Sequence, residues 1–435
     1  MISKSAWAVT RALIARSLRR RTPRRNVMNR VHTGLLGIPL LLTLAPTAPA
    51  TTWYVNGIDG NNGNDCKSPT TACKTIGHTI SQATSGDSIV VAAGTYTENI
   101  TISMSLNVIG SSASTTIIDG GGTGIVVWIS SGTVRLSNVT VRNGHSGIHN
   151  FGTLTISNCT VSKNSGGGGI LNGNASMLII NNSTVSGNTQ RGDNNGGHGG
   201  GIENYGTGIL TINQSTITGN VVSGVFGVGF GGGIENYGTA TVSNSTLSGN
   251  RATARGGGIR NQGNLTINNT TISGNIANIC STTVCLGTGG GIRNDGTLMI
   301  NNSTISGNTA AQGGGGIYGS AKIQNTIVAD NSTGGNCSGT LTSEGYNLSS
   351  DGTCNFNRPG DLNNHDPVLG PLQNNGGLTQ TMALLPGSPA IDGGNPSGCT
   401  DGQGHLLKTD QRGMPRPDKE DIVGCDIGAY ERQSD

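Results

Sequence analysis

The string from Gly199 to Asn220, GGGIENYGTGILTINQSTITGN, recurs along the chain with small changes. Stretches of the GGI type end in Ile148, Ile170, Ile202, Ile234, Ile259, Ile292 and Ile317. Each precedes an eleven-residue block patterned L-T-I-x-N-S-T-I-S-G-N. Eight copies of the block align without a gap, beginning at Val134, Leu154, Leu178, Leu210, Ala240, Leu265, Leu298 and Ala321. A unit with two or three apolar residues per strand-like segment cannot bury its own hydrophobic face, so it must stack on its neighbours. The chain is expected to be a solenoid.

Helical repeats need Leu-rich or Ala-rich stretches, whereas these units alternate Thr, Ile, Val, Ser, Asn and Gly, which favour strands and turns. Successive blocks start 20 residues apart (Val134 to Leu154) to 33 apart (Leu265 to Leu298), close to one turn of a parallel β-helix plus a variable loop. Ile202, Leu210, Ile212 and Ile217 are expected to point inward and stack on their equivalents about 4.8 Å above and below. Two rows of asparagine are expected to form side-chain ladders: Asn150, Asn172, Asn204, Asn236, Asn261 and Asn294, and Asn138, Asn158, Asn182, Asn244, Asn269, Asn302 and Asn325. The same strings read as glycosylation sequons, but recurrence in every coil favours ladders.

Composition agrees. Of 435 residues 74 are glycine, only 3% are aromatic and 11% charged, which suits stacked aliphatics with tight corners rather than a conventional globular interior. The formal charge of +3 comes from the first fifty residues, which hold nine Lys or Arg and no acid. Residues 51–435 carry 17 basic and 23 acidic side chains, a net of −6, so no nucleic-acid partner is expected. Residues 1–50 read as a signal peptide. Leu35 to Leu44 is too short an apolar run for a spanning helix and ends in Ala48-Pro49-Ala50, a small-x-small cleavage site. Its long basic region fits a twin-arginine signal at Arg24-Arg25, translation starting at Met28, or a long ordinary signal. Secretion of a monomer without a transmembrane segment is expected.

Nine cysteines in an exported chain point to disulfides. Spacing suggests Cys66–Cys73, Cys280–Cys285, Cys337–Cys354 and Cys399–Cys425. Cys159 takes a block position held elsewhere by Val, Ser or Thr, so a small buried thiol is expected there.

The ends differ from the repeats. The segment from Trp53 to Ile102, WYVNGIDGNNGNDCKSPTTACKTIGHTISQATSGDSIVVAAGTYTENITI, resembles the opening of bacterial right-handed parallel β-helix proteins of the pectate lyase-like superfamily. The resemblance implies a short capping helix, Ile76 to Ala83, and a first strand, Ser88 to Val91. The GGGI and SGN repeats resemble those of polymorphic outer-membrane proteins. DPVLGPLQNNGGLTQTMALLPGSPAIDGG (Asp366 to Gly394), TDQRGMPRP (Thr409 to Pro417) and DIGAYE (Asp426 to Glu431) resemble the choice-of-anchor Q module of bacterial surface proteins. The expected organisation is all-β: a right-handed parallel β-helix over 51–335 with an N-terminal cap at 51–100, then C-terminal coils and an irregular cap over 336–435. Surface attachment is common for such modules. With no apolar tail or sorting signal before Asp435, release is the simpler expectation.

Fold alone does not give function on this scaffold. From Ser131 to Asn331 the carboxylates are Asp193, Glu203, Glu235, Asp295 and Asp330, a poor supply for a catalytic cluster or a Ca²⁺ site. Glu203 and Glu235 fall at equivalent places in successive coils, within the separation used by retaining glycosidases. Their row continues as Arg260 and Arg293, so a solvated charge ladder with a Glu235–Arg260 pair is the plainer reading. Lys163 replaces the usual glycine of SGN without an acid beside it. Tyr205 and Tyr237 repeat in neighbouring coils, with Phe151 at the same position and Gly173 interrupting the row. Such aromatics suit sugar binding or simply cover a turn. Length varies at one corner, in the loops at 189–198, 221–230 and 276–288, where solenoids often bind. Asp59 and Asp65 in DGNNGND are candidate Ca²⁺ ligands, though the loop fails the EF-hand pattern and a plain turn is favoured. No other cofactor is suggested. The expected function is non-catalytic binding of extracellular polysaccharide or a cell-surface component through Glu203, Tyr205, Glu235 and Tyr237. The alternative is a polysaccharide lyase or glycoside hydrolase.

Overall fold

The computed structural model describes residues 49–192, 196–224, 228–278, 287–418 and 424–433. Residues 1–48 of the expected signal peptide, Asp193 and the expected Cys280–Cys285 pair lie outside them. Each coil is laid down as three short strands. In one coil, Ile202–Asn204 joins a ten-stranded first sheet, Ile209–Asn213 a twelve-stranded second sheet and Thr216–Thr218 a twelve-stranded third sheet. Each pairs in parallel with its counterparts in the coils before and after. The fold is an all-β parallel β-helix.

The ungapped alignment of blocks is the register of the second sheet. Leu154, Leu178, Leu210, Ala240, Leu265 and Leu298 are successive partners, and each is at most 2% exposed. Period-two alternation turns these residues inward, and burying each large aliphatic side chain contributes about 1.5–3 kcal/mol. Because consecutive coils touch backbone to backbone, some corners accept only glycine. A Cβ at Gly200 would lie 2.6 Å from the Gly232 carbonyl oxygen.

The asparagines serve three different purposes. Asn150, Asn172, Asn204, Asn236, Asn261 and Asn294 form an internal ladder, each Nδ2 donating to the next Oδ1 at 2.7 Å. The row from Asn138 to Asn325 sits at φ between 45 and 57°, a left-handed corner that a short amide side chain tolerates. Its side chains join only locally, as in Asn325 to Asn302 at 3.0 Å. The third ladder is the Asn of SGN, which sequence reading missed. Asn188, Asn220, Asn250, Asn275 and Asn308 are fully buried, and each donates to the next at 2.9–3.0 Å. The glycine before each has positive φ, and Lys163 stands in that position at φ 57°.

At the N-terminal end the helix Ile76–Gln82 starts at Thr75, whose hydroxyl accepts the His78 amide, and buries Ile76 and Ile80. At the other end the irregular C-terminal segment folds back along the outer face of the third sheet and covers its last coils. Thr246 donates to the Gln380 carbonyl, Asn269 to the Thr409 carbonyl and Asn302 to the Thr400 carbonyl. Ile327, Ala329 and Leu348 pack there against Leu384, Ala390 and Ile427. Outward threonines that are half-buried in earlier coils, such as Thr184 and Thr216, have buried counterparts in Thr246, Thr271 and Thr304 where this strap lies. Disulfides join Cys66–Cys73, Cys337–Cys354 and Cys399–Cys425, and Cys159 is a free, buried thiol. Among the described residues no helix is long and apolar enough to cross a membrane.

Candidate functional site

Alternation on the first sheet turns one residue per coil outward. Successive partners in this row are Trp128, His149, Leu171, Glu203, Glu235, Arg260, Arg293 and Tyr318. A solvated ladder was expected, but much of the row is covered. The insertion loops add a narrow ladder of their own, pairing Gly197–His198 with Gly229–Phe230 and continuing through bridges at Arg255, Thr288 and Gly313. From it Phe230 lies under the Arg260 guanidinium, 4.2 Å from ring centroid to Cζ, and Thr288 accepts from Arg293. Glu235 is consequently 0% exposed.

Inside this cover the charges are matched locally. Glu235 Oε1 accepts from Arg260 Nη1 at 2.9 Å and from Gln262 Nε2 at 3.0 Å. Burial nevertheless pushes the Glu235 carboxyl up to about 8, with Arg260 opposing. Glu203, more open but largely desolvated, is pushed up to about 7 by burial. Asp295 receives Arg293 at 2.6 Å; burial raises its pKa, but the bond and the charges of Arg293 and Arg260 hold it below the usual range.

A second row runs along the corner between the first and second sheets: Phe151, Gly173, Tyr205, Tyr237, Gln262 and Asp295. From Gly173 onward each backbone amide bonds to an Asn carbonyl of the coil before. Gly173 leaves no gap, because the Phe151 ring lies across it, and a Cβ there would meet Phe151 Cδ1 at 2.5 Å. The rings form two touching pairs, Trp128–Phe151 with centroids 6.5 Å apart and Tyr205–Tyr237 at 5.9 Å. The Tyr237 hydroxyl is 2.9 Å from His198 Nδ1. Trp128, Phe151 and Tyr205 are 44, 46 and 53% exposed. Sequence reading found three of these aromatics by their recurrence. It did not single out Trp128 or His149, the latter in the slot that Glu203 fills two coils on, and it marked His198 and Phe230 only as members of the loops 189–198 and 221–230.

The two candidate Ca²⁺ ligands have different surroundings. Asp65 is held by the Thr71 hydroxyl and the Lys67 amide, which lower its pKa, and Asp59 is exposed. Among the described residues, Cys66, Cys73 and His78 form the one group of three His, Cys, Asp or Glu donors within 4.8 Å, and there the two sulfurs are bonded to each other. Cys159 is buried, and burial pushes its thiol up to about 11, which disfavours the thiolate.

No protein-family model matches the chain, and no curated protein matches it. Among solved structures it is similar to pectate lyase Pel9A, with a TM-score of 0.56 and 17% identity over 89% of this chain and 98% of that one. At that identity the likeness is one of fold, the right-handed parallel β-helix. A GH136 lacto-N-biosidase from Eubacterium ramulus aligns with a TM-score of 0.38 and 10% identity over 69% of this chain and 68% of that one.

Proposed function

We propose that the protein is a secreted, non-catalytic glycan-binding β-helix that engages an extracellular polysaccharide or a cell-surface glycan along its aromatic corner. The observation that carries this reading is the strip of Trp128, Phe151 and Tyr205, open to solvent in a chain that otherwise has few aromatics. Flat apolar rings with wet edges suit sugar faces. Groups repeated at the coil spacing of about 4.8 Å suit weak, multivalent contact with a polymer. Glu203 and Glu235 fit catalysis poorly, because Glu235 is sealed from solvent and pinned by Arg260. The binding set therefore narrows to the rings, with Glu235 buried beside Tyr237. Disulfides and the leader-like first fifty residues support an extracellular setting.

The enzymatic alternative, a lyase or glycoside hydrolase, draws support from the Tyr237–His198 contact and from Glu203 held near pH 7. Affinity electrophoresis through gels containing polysaccharide, run beside a depolymerisation assay, separates the two. Trp128→Ala with Tyr205→Ala should abolish retardation without lowering the melting temperature. Release of reducing or unsaturated ends that Glu203→Gln or His198→Asn abolishes would instead establish the enzyme.

A further inference from the structure

Beside the ladder of the insertion loops lies an open cavity of about 430 Å³ lined by His145, Gln190, Arg191 and His198 over a glycine floor. A Cβ at Gly166 would run into the His145 ring, so the glycine keeps the imidazole seated at the cavity wall. No described lining residue is acidic, although residues 51–435 carry net negative charge. His145 and Arg191 are both exposed, and among the described residues neither takes part in an ion pair. Gln190 Oε1, in contrast, is buried without a hydrogen-bond partner. The cavity adjoins the aromatic corner through His198, whose Nδ1 meets the Tyr237 hydroxyl.

We propose that this cavity is an oxyanion subsite that takes a carboxylate, sulfate or phosphate group carried by the bound glycan. The inference rests on the glycan-binding reading and adds the charge of the ligand and the place where it is read. Arg191 presents a planar fork of N–H donors that matches an oxyanion, and His145 adds a ring N–H. Gln190 lines the same space between the two cationic side chains. Cationic donors beside stacking rings let one chain of sugars be held by its faces and positioned by its charges.

The test uses the full-length secreted protein in affinity gels containing polygalacturonate, a sulfated galactan, a phosphomannan or a neutral galactan. The wild type should bind one of the three anionic polymers at least tenfold more tightly than the neutral one, and the polymer preferred identifies the oxyanion. Arg191→Gln with His145→Asn should remove that preference while leaving melting and neutral retention unchanged. Equal binding of charged and neutral polymers, or an undiminished preference in the double variant, would overturn the subsite. If Trp128→Ala with Tyr205→Ala loses all retention while the Arg191 and His145 variant changes nothing, only the subsite fails. If the wild type binds none of the polymers, the glycan reading fails and the subsite with it.

Discussion

Arg260 brings Nη1 to 2.9 Å from Oε1 of Glu235 in the neighbouring coil, and the two side chains are 10 and 0% exposed. The pair lies in the outward row of the first sheet, where the loop cover shuts it off from water. Removing one partner leaves an uncompensated buried charge, which costs about 3–5 kcal/mol. Glu235→Leu, which leaves the Arg260 guanidinium without its partner, should therefore lower stability by several kcal/mol in urea unfolding, whereas changing both residues to apolar ones of similar volume should cost far less. Equal losses in the single and double variants would show that the pair does not act as a unit.

Glu203 gives the cover a pH dependence with a definite sign. Its folded-state carboxyl is raised from an ordinary 4.5 to about 7, so the native state holds a proton that the unfolded chain releases. Stability from this group is complete below about pH 4.5 and is lost as pH rises through about 7, with an upper bound of about 3 kcal/mol. Melting temperature should fall between pH 5 and pH 8, and Glu203→Gln should flatten that slope. A variant whose slope matches the wild type would place the titration elsewhere.

The second-sheet register and the first asparagine ladder were legible because an eleven-residue block repeats without gaps, and a strand repeat leaves only one face for each position. The strap was not. Its contacts link Thr246 to Gln380 and Asn269 to Thr409, residues far apart in the chain with no periodic signal between them. Only the change from Thr304 to Ile327 on the outward face of the third sheet hinted that something apolar covers the last coils. The site was half legible for the same reason. Tyr205 and Tyr237 repeat and were found, but the burial of Glu235 depends on Phe230, which comes from a loop of irregular length.

The ladder missed in the sequence should be among the most sensitive parts of the molecule. Asn250 accepts from the Asn220 amide and side chain and donates to the Ile217 carbonyl and to Asn275. Asn250→Ala would strand several buried polar groups at about 1–3 kcal/mol each. Loss of more than about 3 kcal/mol is expected, against less than about 1 kcal/mol for the exposed-face change Thr211→Ala. A mild Asn250→Ala phenotype would mean that water replaces the amide.

The free thiol offers a covalent check. Cys159 is buried, donates to the Leu136 and Ser157 carbonyls, and has its pKa pushed up to about 11. Native protein should resist iodoacetamide at this residue and react only on unfolding. Peptide mapping without reductant should recover Cys337–Cys354 and Cys399–Cys425, and it also tests the Cys280–Cys285 pair expected from spacing. Rapid native labelling of Cys159 would contradict the packing.

Arg416 fastens the strap to the solenoid. Its Nε donates to Glu431 at 2.7 Å, Nη2 to the Gly428 carbonyl at 2.9 Å, and Nη1 crosses to Asn269 Oδ1 on the coil corner at 3.1 Å. All of this is closed from solvent, so the guanidinium both neutralises Glu431 and ties two distant parts of the chain through one planar group. Arg416→Ala should detach the strap before it unfolds the coils, because each coil keeps its own ladders and inward stack. Limited proteolysis should then cut after about residue 366, and dye binding should report exposure of Ile327, Ala329 and Leu348, with the β-sheet circular dichroism retained. Lysine, a point charge without the fork, should restore only part of the protection. Unchanged protease resistance in Arg416→Ala would show that apolar contacts of Leu384, Ala390 and Ile427 hold the strap by themselves.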